Sequence, residues 1–155
     1  MTLCEFFRLC STLPGRIESH NSNKNFLREF QQLFGSQEAR DTSSVLYAFF
    51  CEKKIPRVKG ESNVIYIGKT KQSLRWRYLS YAKRWYCSPY NWVCFSHVIE
   101  HYGPVGLAYL VIDDVQSLKE AELDLLKDYY ELHLERPPKN ARGYGSWGGW
   151  ITNVQ

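Results

Sequence analysis

The stretch NVIYIGKTKQSLRWRYLSY, residues 63–81, changes character at Gly68. The residues before the glycine are mainly β-branched or aromatic, a pattern typical of a strand. Gly68 permits a sharp turn, and the segment after it has the apolar spacing of an amphipathic helix, with Thr70 as a candidate N-cap. The stretch therefore predicts a strand that turns into a helix carrying many cations and aromatic rings.

The residues upstream predict a partner for this strand. SSVLYAFFCEKK, residues 43–54, is rich in β-forming side chains, and IPRVKGES, residues 55–62, carries Pro56 and Gly60 as loop signals. The two strands are close enough in sequence to form an antiparallel hairpin joined by a long basic loop.

Strand alternation gives each side chain of the hairpin a face. Because alternate residues share a face, we expect Val64 and Tyr66 on one side of the sheet, and Ile65 and Ile67 on the other. Tyr47, on the first strand, is expected to place its hydroxyl beside that of Tyr66.

The rest of the chain extends the hairpin into an α/β fold. Residues 88–103 predict a helix that Gly103 ends, residues 106–113 a third strand, and residues 117–135 a long helix that Pro137 ends. We expect an α/β fold with a small three-stranded, mainly antiparallel sheet flanked by helices. The predicted parts are a helical N-terminal extension at residues 1–43, a core domain at 44–141 and a Gly/Trp-rich tail at 142–155.

Composition excludes several classes of protein. The 155 residues suit one domain, and no apolar run approaches the roughly 20 residues of a membrane helix. The first residues, MTLCEFFRLCSTLPG, carry Glu5 and Arg8 inside an apolar patch and predict a short amphipathic helix rather than a signal peptide. The five cysteines are odd in number and lack C-x-x-C spacing. We therefore expect mostly buried thiols in a reducing, cytoplasmic setting, with no disulfide framework or zinc site.

Charge is segregated along the chain. Residues 53–87 hold ten Lys or Arg and one acid, whereas residues 113–135 hold eight acids and two Lys. A basic block of this kind suits a polyanionic partner. The acidic block is open to two interpretations, a metal site or a solvated helix face.

Two sets of residues could carry chemistry. Arg77 and Tyr81 are four apart on the predicted helix, and with Lys69 they could meet Tyr47 and Tyr66 at one end of the sheet. Such a set suits a phosphodiester, because Arg binds two phosphate oxygens in a fork and Lys adds a point charge. The alternative is that the tyrosines are packing groups and the cations are surface residues.

Glu122 lies in the second set. It falls within the apolar stripe of the long helix, where a carboxylate needs a partner or a cation, unless it lies at the boundary and reaches solvent. Asn140 follows RPPK and, taken alone, is an ordinary turn residue.

Residues 44–141 resemble the GIY-YIG nucleases in the order of their motifs. These motifs are Tyr47, the sequence YIG at 66–68, Arg77, Glu122 and Asn140. The resemblance implies a metal-dependent DNA endonuclease of restriction, repair or mobile-element type, with Mg²⁺ (or Mn²⁺) as cofactor. DNA, double-stranded, would be the partner, and a homodimer is one way to cut both strands. A catalytically silent nucleic-acid-binding module of the same fold, or a protein-interaction domain, are the alternatives.

The resemblance also implies roles. Tyr47 and Tyr66 would activate the attacking water, with Tyr47 as proton acceptor after Lys69, Arg77 and the metal lower its pKa from about 10. Arg77 would hold the scissile phosphate, Glu122 would bind the metal and Asn140 would buttress the site. Lys69 and Tyr81 match the pattern of the nuclease domain of bacterial nucleotide-excision repair. The cations expected to contact DNA are Lys53, Lys54, Arg57, Lys59, Lys71, Arg75, Lys83 and Arg84.

Overall fold

The structure, a computed structural model, describes residues 1–79 and 89–140, and only the backbone of residues 89–91. The strands are β1 (Ser11–Thr12), β2 (Val45–Pro56), β3 (Glu61–Thr70) and β4 (Val105–Val111), which form one antiparallel sheet in the order β1-β4-β2-β3. The helices are α1 (Leu3–Leu9), α2 (Asn23–Gly35), α3 (Gln37–Asp41), α4 (Leu74–Leu79), α5 (Pro89–Tyr102) and α6 (Val115–His133). A 3-10 turn follows at Pro138–Asn140.

The predicted α/β class with an antiparallel sheet flanked by helices is confirmed. The sheet of the described residues has a fourth strand, β1, because Ser11 and Thr12 pair with Tyr109 and Ala108 of β4. The N-terminal segment thus contributes a strand as well as helices. None of the helices in the described part of the chain is long and apolar enough to cross a membrane.

The hairpin differs from the predicted one in its loop. Strand β2 continues to Pro56, and the turn is limited to residues 57–60, where Arg57 N–H donates to the Gly60 carbonyl at 3.0 Å. The prediction of a long basic loop is therefore wrong, whereas Lys53 and Lys54 lie in a strand, as their place in residues 43–54 predicted.

A bulge in β3 overturns the predicted alternation. Phe49 pairs with Tyr66 but Phe50 pairs with Val64, so Ile65 is an extra residue on β3. As a result Ile65 and Tyr66 both pack toward α2, α4 and α5, whereas Val64 and Ile67 pack toward α1 and α6. A bulge displaces side chains in this way because one strand carries two residues opposite one.

The helices start and end at signals that the sequence indicated only in part. Helix α4 begins at Leu74, where the Ser73 hydroxyl accepts from the Trp76 N–H at 3.1 Å, so the predicted N-cap at Thr70, which is buried in β3, is wrong. Gly103 ends α5 as predicted, with φ of 87°. Helix α6 ends at His133 because Leu134 adopts the left-handed conformation, ahead of Pro137.

The N-terminal extension packs on both faces of the sheet. The Leu3 N–H donates to the Asp128 carboxylate of α6 at 2.7 Å, and Phe6 is fully buried between α1 and the sheet. On the other face, Phe30 and Phe34 of α2 contact the ring of Tyr78. Among the described cysteines only Cys51 is buried and Cys4 is exposed, so the expectation of mostly buried thiols is wrong for these four.

Candidate active site

Tyr47 of β2 and Tyr66 of β3 reach the same point above Gly68. Tyr47 pairs directly with Gly68, and the two ring centroids are 6.0 Å apart. Both hydroxyl oxygens lie 2.9 Å from the position that a Cβ on Gly68 would occupy. The predicted role of Gly68 as a turn is wrong, since β3 continues to Thr70. The glycine instead leaves the space into which both phenols fit.

Arg77 brings a cation to this tyrosine pair. It lies half-buried on α4, and its charge interacts with the phenols of Tyr47, Tyr78 and Tyr66. Burial acts to lower the pKa of Arg77, but the three phenols outweigh burial and raise it. The guanidinium therefore stays charged beside the two hydroxyls.

The surroundings of Tyr47 favour its neutral form. The side chain is fully buried, and its hydroxyl has no hydrogen-bond partner of ordinary geometry among the described residues. Burial, and then the neighbouring Tyr66, raise the pKa of Tyr47 well above that of a free phenol, although Tyr78 and Arg77 offset part of the effect. Arg77 acts to lower this pKa, as predicted, but desolvation outweighs its charge, and Lys69 lies on the other face of the sheet, so the net direction is upward.

Tyr78 belongs to the same group of rings, and sequence reasoning assigned it only to an apolar helix stripe. It is buried, stacks on Phe34 at a centroid distance of 4.3 Å and packs edge-on against Tyr47 at 5.7 Å. The sequence did contain a signal for this role, because Tyr78 is a polar residue on a buried helix stripe and directly follows Arg77, the predicted phosphate-binding residue. Tyr78 thus lies between α2 and the Tyr47 ring and contacts both.

Lys69 and Glu122 form an ion pair on the other face of the sheet. Lys69 pairs in register with Leu46, which packs toward α6, and its ammonium donates to the Glu122 carboxylate. Both side chains are partly exposed, at 31% and 20%. The expectation that Lys69 begins a helix and joins Tyr47 and Tyr66 on their face is wrong. The inward-facing Glu122 has the partner that its position required.

The Asn140 side chain binds the outer edge of β3, at a point between the tyrosine pair and the ion pair of Lys69 with Glu122. Its Oδ1 accepts from the Ile67 N–H at 2.8 Å, and its Nδ2 donates to the Ile67 carbonyl at 2.7 Å. Ile67 lies between Tyr66 and Gly68, so this pair of bonds fixes the strand where the phenols meet. The structure thus arranges Tyr47, Tyr66 and Arg77 on one side of residues 66–69, and Lys69 with Glu122 on the other.

A metal at Glu122 would have few protein ligands. No group of three or more His, Cys, Asp or Glu side chains suited to a metal occurs in residues 1–79 and 89–140. Glu122 Oε2 accepts from Lys69, and its Oε1 has no hydrogen bond within this part of the chain. This donor set fits Mg²⁺ bound by one carboxylate, with water and substrate phosphate oxygens as the other ligands.

Some of the cations predicted to contact DNA are exposed, and others bond to groups of the protein itself. Arg57 is an internal group: its side chain is 7% exposed, and its guanidinium donates to the Val64 carbonyl and lies 3.7 Å from the Glu135 carboxylate, which argues against a contact with DNA. Arg75 donates to the Gly35 carbonyl at 3.3 Å. The exposed cations are Lys53, Lys54, Lys59 and Lys71. Tyr81, Lys83 and Arg84 lie outside the described residues.

Comparison with known proteins gave no relative. No protein-family model, no curated protein and no solved structure matches this chain. The case for a function is therefore made by the geometry of these residues and by the order of their motifs.

Proposed function

We propose that this chain is a metal-dependent DNA endonuclease that hydrolyses phosphodiester bonds, of the GIY-YIG type. The observation that supports this most is the meeting of the Tyr47 and Tyr66 hydroxyls over Gly68, beside the guanidinium of Arg77. Two phenols and a fixed guanidinium can orient a water molecule and bind a phosphate together. Core packing alone would not need the Tyr47 and Tyr66 hydroxyls to meet over Gly68, because phenylalanine rings could fill the same space.

The roles follow from exposure and charge. Arg77 binds the scissile phosphate and stabilises the charge that develops on it. Tyr66 is half-buried, so its hydroxyl can reach the attacking water, whereas the neutral Tyr47 phenol fixes the position of Tyr66. Lys69 orients the Glu122 carboxylate. A divalent ion held by Glu122, Mg²⁺ or Mn²⁺, would act as a Lewis acid on a phosphate bound at the edge of β3, the outer strand that lies between Glu122 and Arg77.

A second candidate is a nucleic-acid-binding module of the same fold without catalysis. Two observations favour it: the Tyr47 side chain is fully buried, and Glu122 is already paired with Lys69. A binding module needs only the cations and the fold. The two candidates differ in one measurable property, the hydrolysis of DNA.

The test is cleavage of supercoiled plasmid and of branched DNA, with Mg²⁺, with Mn²⁺ or with chelator. We expect metal-dependent nicking that Arg77→Ala reduces about 100-fold or more, because a lost transition-state donor costs that much. Arg8→Ala, an exposed arginine of α1 on the other face of the sheet, is the matched control and should cut like wild type. A wild-type chain that leaves every substrate intact would make the binding module the better reading.

The metal role is tested separately. Glu122→Ala should abolish cleavage, whereas Glu120→Ala, an exposed carboxylate on the same helix, should retain it. Cleavage that persists in chelator, or in Glu122→Ala at the wild-type rate, would contradict the metal site while leaving the nuclease proposal intact. Counting the strands cut per encounter would show whether one copy nicks or two copies act as a homodimer.

A further inference from the structure

Trp76 lies on the outer side of α4 and is unusually exposed. It retains 50% of its accessible surface, whereas Leu74 and Tyr78 of the same helix are buried. Indole rings are large apolar groups that proteins bury extensively on average. Core packing does not account for the exposed half of this indole.

A cavity adjoins the indole. It has a volume of about 400 Å³, and the described residues that line it are Ser73, Arg75, Trp76 and Leu79. This volume is within the range of small-ligand sites, and a single nucleobase would occupy only part of it. The lining residues include a tryptophan, a leucine and an arginine, and the guanidinium of that arginine also donates to the Gly35 carbonyl.

The sequence segment that contains Trp76 is basic, although α3, which carries Glu38, Arg40 and Asp41, also packs against α4. Residues 62–79 contain Lys69, Lys71, Arg75 and Arg77 and no Asp or Glu. Lys71 is exposed, and Arg77 directly follows Trp76 in the helix. On the proposed function, a strand whose phosphate is bound by Arg77 would reach Trp76 by passing round α4, because successive residues of a helix point about 100° apart.

We propose that Trp76 stacks on an unpaired base of a DNA strand that binds along α4. The favoured substrate is then DNA with unpaired nucleotides beside the cleaved bond, as in a flap, gap or branch, rather than continuous duplex. Within a duplex the faces of the bases are covered by their neighbours, whereas an unpaired base offers a face to an aromatic platform. The position of the cleaved bond rests on the proposed function, but the stacking contact does not.

Binding without cleavage tests the proposal. Fluorescence anisotropy in chelator would compare a labelled single strand, a gapped duplex and a continuous duplex of the same sequence. Trp76→Ala should weaken binding to the first two about tenfold and to the continuous duplex less than twofold. Trp76→Phe, which keeps an aromatic face, should recover most of the affinity. Val93→Ala, another exposed apolar residue at 61%, is the control and should bind like wild type.

The outcomes are distinct. Equal losses on all three DNAs, no loss on any, or a loss accompanied by a fall of several degrees in melting temperature would each overturn the stacking role. If Trp76 is required for binding unpaired DNA and no DNA is ever cut, the stacking site stands and the nuclease proposal fails. If the chain cuts continuous duplex and Trp76→Ala has no effect, the nuclease proposal stands and the stacking site fails.

Discussion

At the scale of single residues, Gly68 contributes empty space rather than backbone freedom. A Cβ there would lie 2.6 Å from Tyr66 Cε1 and 2.9 Å from the Tyr47 hydroxyl oxygen, closer than real contacts allow. Gly35, the last residue of α2, offers a matched position, because no atom lies within 4 Å of its would-be Cβ. Replacing each glycine by alanine therefore distinguishes the loss of space at Gly68 from the general effect of replacing a glycine.

The prediction is that Gly68→Ala lowers the free energy of unfolding by about 1–3 kcal/mol, the usual cost of overpacking a filled site. Gly35→Ala should be neutral or stabilise by up to about 1 kcal/mol, since alanine is the better helix former. Urea denaturation of both variants measures the difference. Equal stabilities would mean that the two phenols do not depend on the space over Gly68.

Tyr47 and Tyr129 share a property that makes a second comparison possible. Each has a fully buried ring whose hydroxyl makes no hydrogen bond of ordinary geometry among the described residues. The neighbours of the two hydroxyls differ, because Tyr78 and Arg77 lie near that of Tyr47 and Ser62 lies near that of Tyr129. A buried hydroxyl without a partner costs stability, so its removal is neutral or favourable. Removing the Tyr47 hydroxyl should therefore reduce DNA cleavage without lowering the free energy of unfolding.

We expect Tyr47→Phe and Tyr129→Phe to keep or raise the free energy of unfolding, by up to about 1–2 kcal/mol. Only Tyr47→Phe should also reduce DNA cleavage, because only its hydroxyl contributes to the tyrosine pair. Chemical denaturation and the plasmid assay are measured on the same samples. A cleavage loss of equal size in Tyr129→Phe would remove the special role assigned to Tyr47.

The same tyrosine predicts a pH dependence. Its pKa is raised in the folded state by burial, while in the unfolded chain it is about 10, so above pH 10 the unfolded state loses its proton first. The contribution of Tyr47 is thus complete below pH 10 and is lost as pH rises above it. Between pH 10 and 11 the unfolding free energy of wild type should fall by about 1 kcal/mol more than that of Tyr47→Phe, because the unfolded tyrosine is half deprotonated at pH 10 and almost fully at pH 11. Parallel curves in urea titrations would contradict this.

At the scale of elements, sequence predicted the class of most segments but not the faces of β3. The apolar runs and loop signals of residues 43–70 specify a hairpin, and the spacing in residues 115–133 specifies a helix. The bulge at Ile65 left no sequence signal, and one extra residue changes which side chains share a face. Lys69 faces away from Tyr66 for a different reason: the predicted turn at Gly68 does not occur, β3 continues to Thr70, and residues three apart in a strand face opposite sides.

The partner of the outer edge of β3 is not encoded in the local sequence, and only the family resemblance pointed to Asn140. Two side-chain hydrogen bonds from Asn140 satisfy Ile67, a contact between residues 73 apart that no local pattern encodes. Asn140→Ala should cost about 1–3 kcal/mol and reduce cleavage, since Ile67 separates Tyr66 from Gly68. Asn63→Ala, which removes one hydrogen bond to Cys51 elsewhere in the hairpin, should cost less and leave cleavage unchanged. Melting curves and the plasmid assay compare the two, and equal cleavage losses would contradict a local role for Asn140.

At the scale of the whole molecule, the acidic helix α6 uses several of its carboxylates internally. Asp128 accepts from the Leu3 N–H, Asp124 pairs with the Met1 amino group, and Glu122 pairs with Lys69. Glu135, just beyond the helix, lies beside Arg57. These contacts make much of the acidic block a means of holding α1 and the hairpin in place, while lysines such as Lys53, Lys59 and Lys71 stay exposed.

This arrangement predicts which lysines bind the DNA backbone. Lys53→Ala with Lys59→Ala removes two exposed charges from the hairpin, and Lys119→Ala with Lys127→Ala removes two from the acidic helix. In chelator, the slope of log affinity against log salt should fall by roughly 0.9 for each hairpin lysine that contacts a phosphate. The helix pair should leave the slope unchanged, because those lysines lie among carboxylates that repel DNA. If both pairs lower the slope equally, the loss is one of net charge, and the hairpin is no part of the interface.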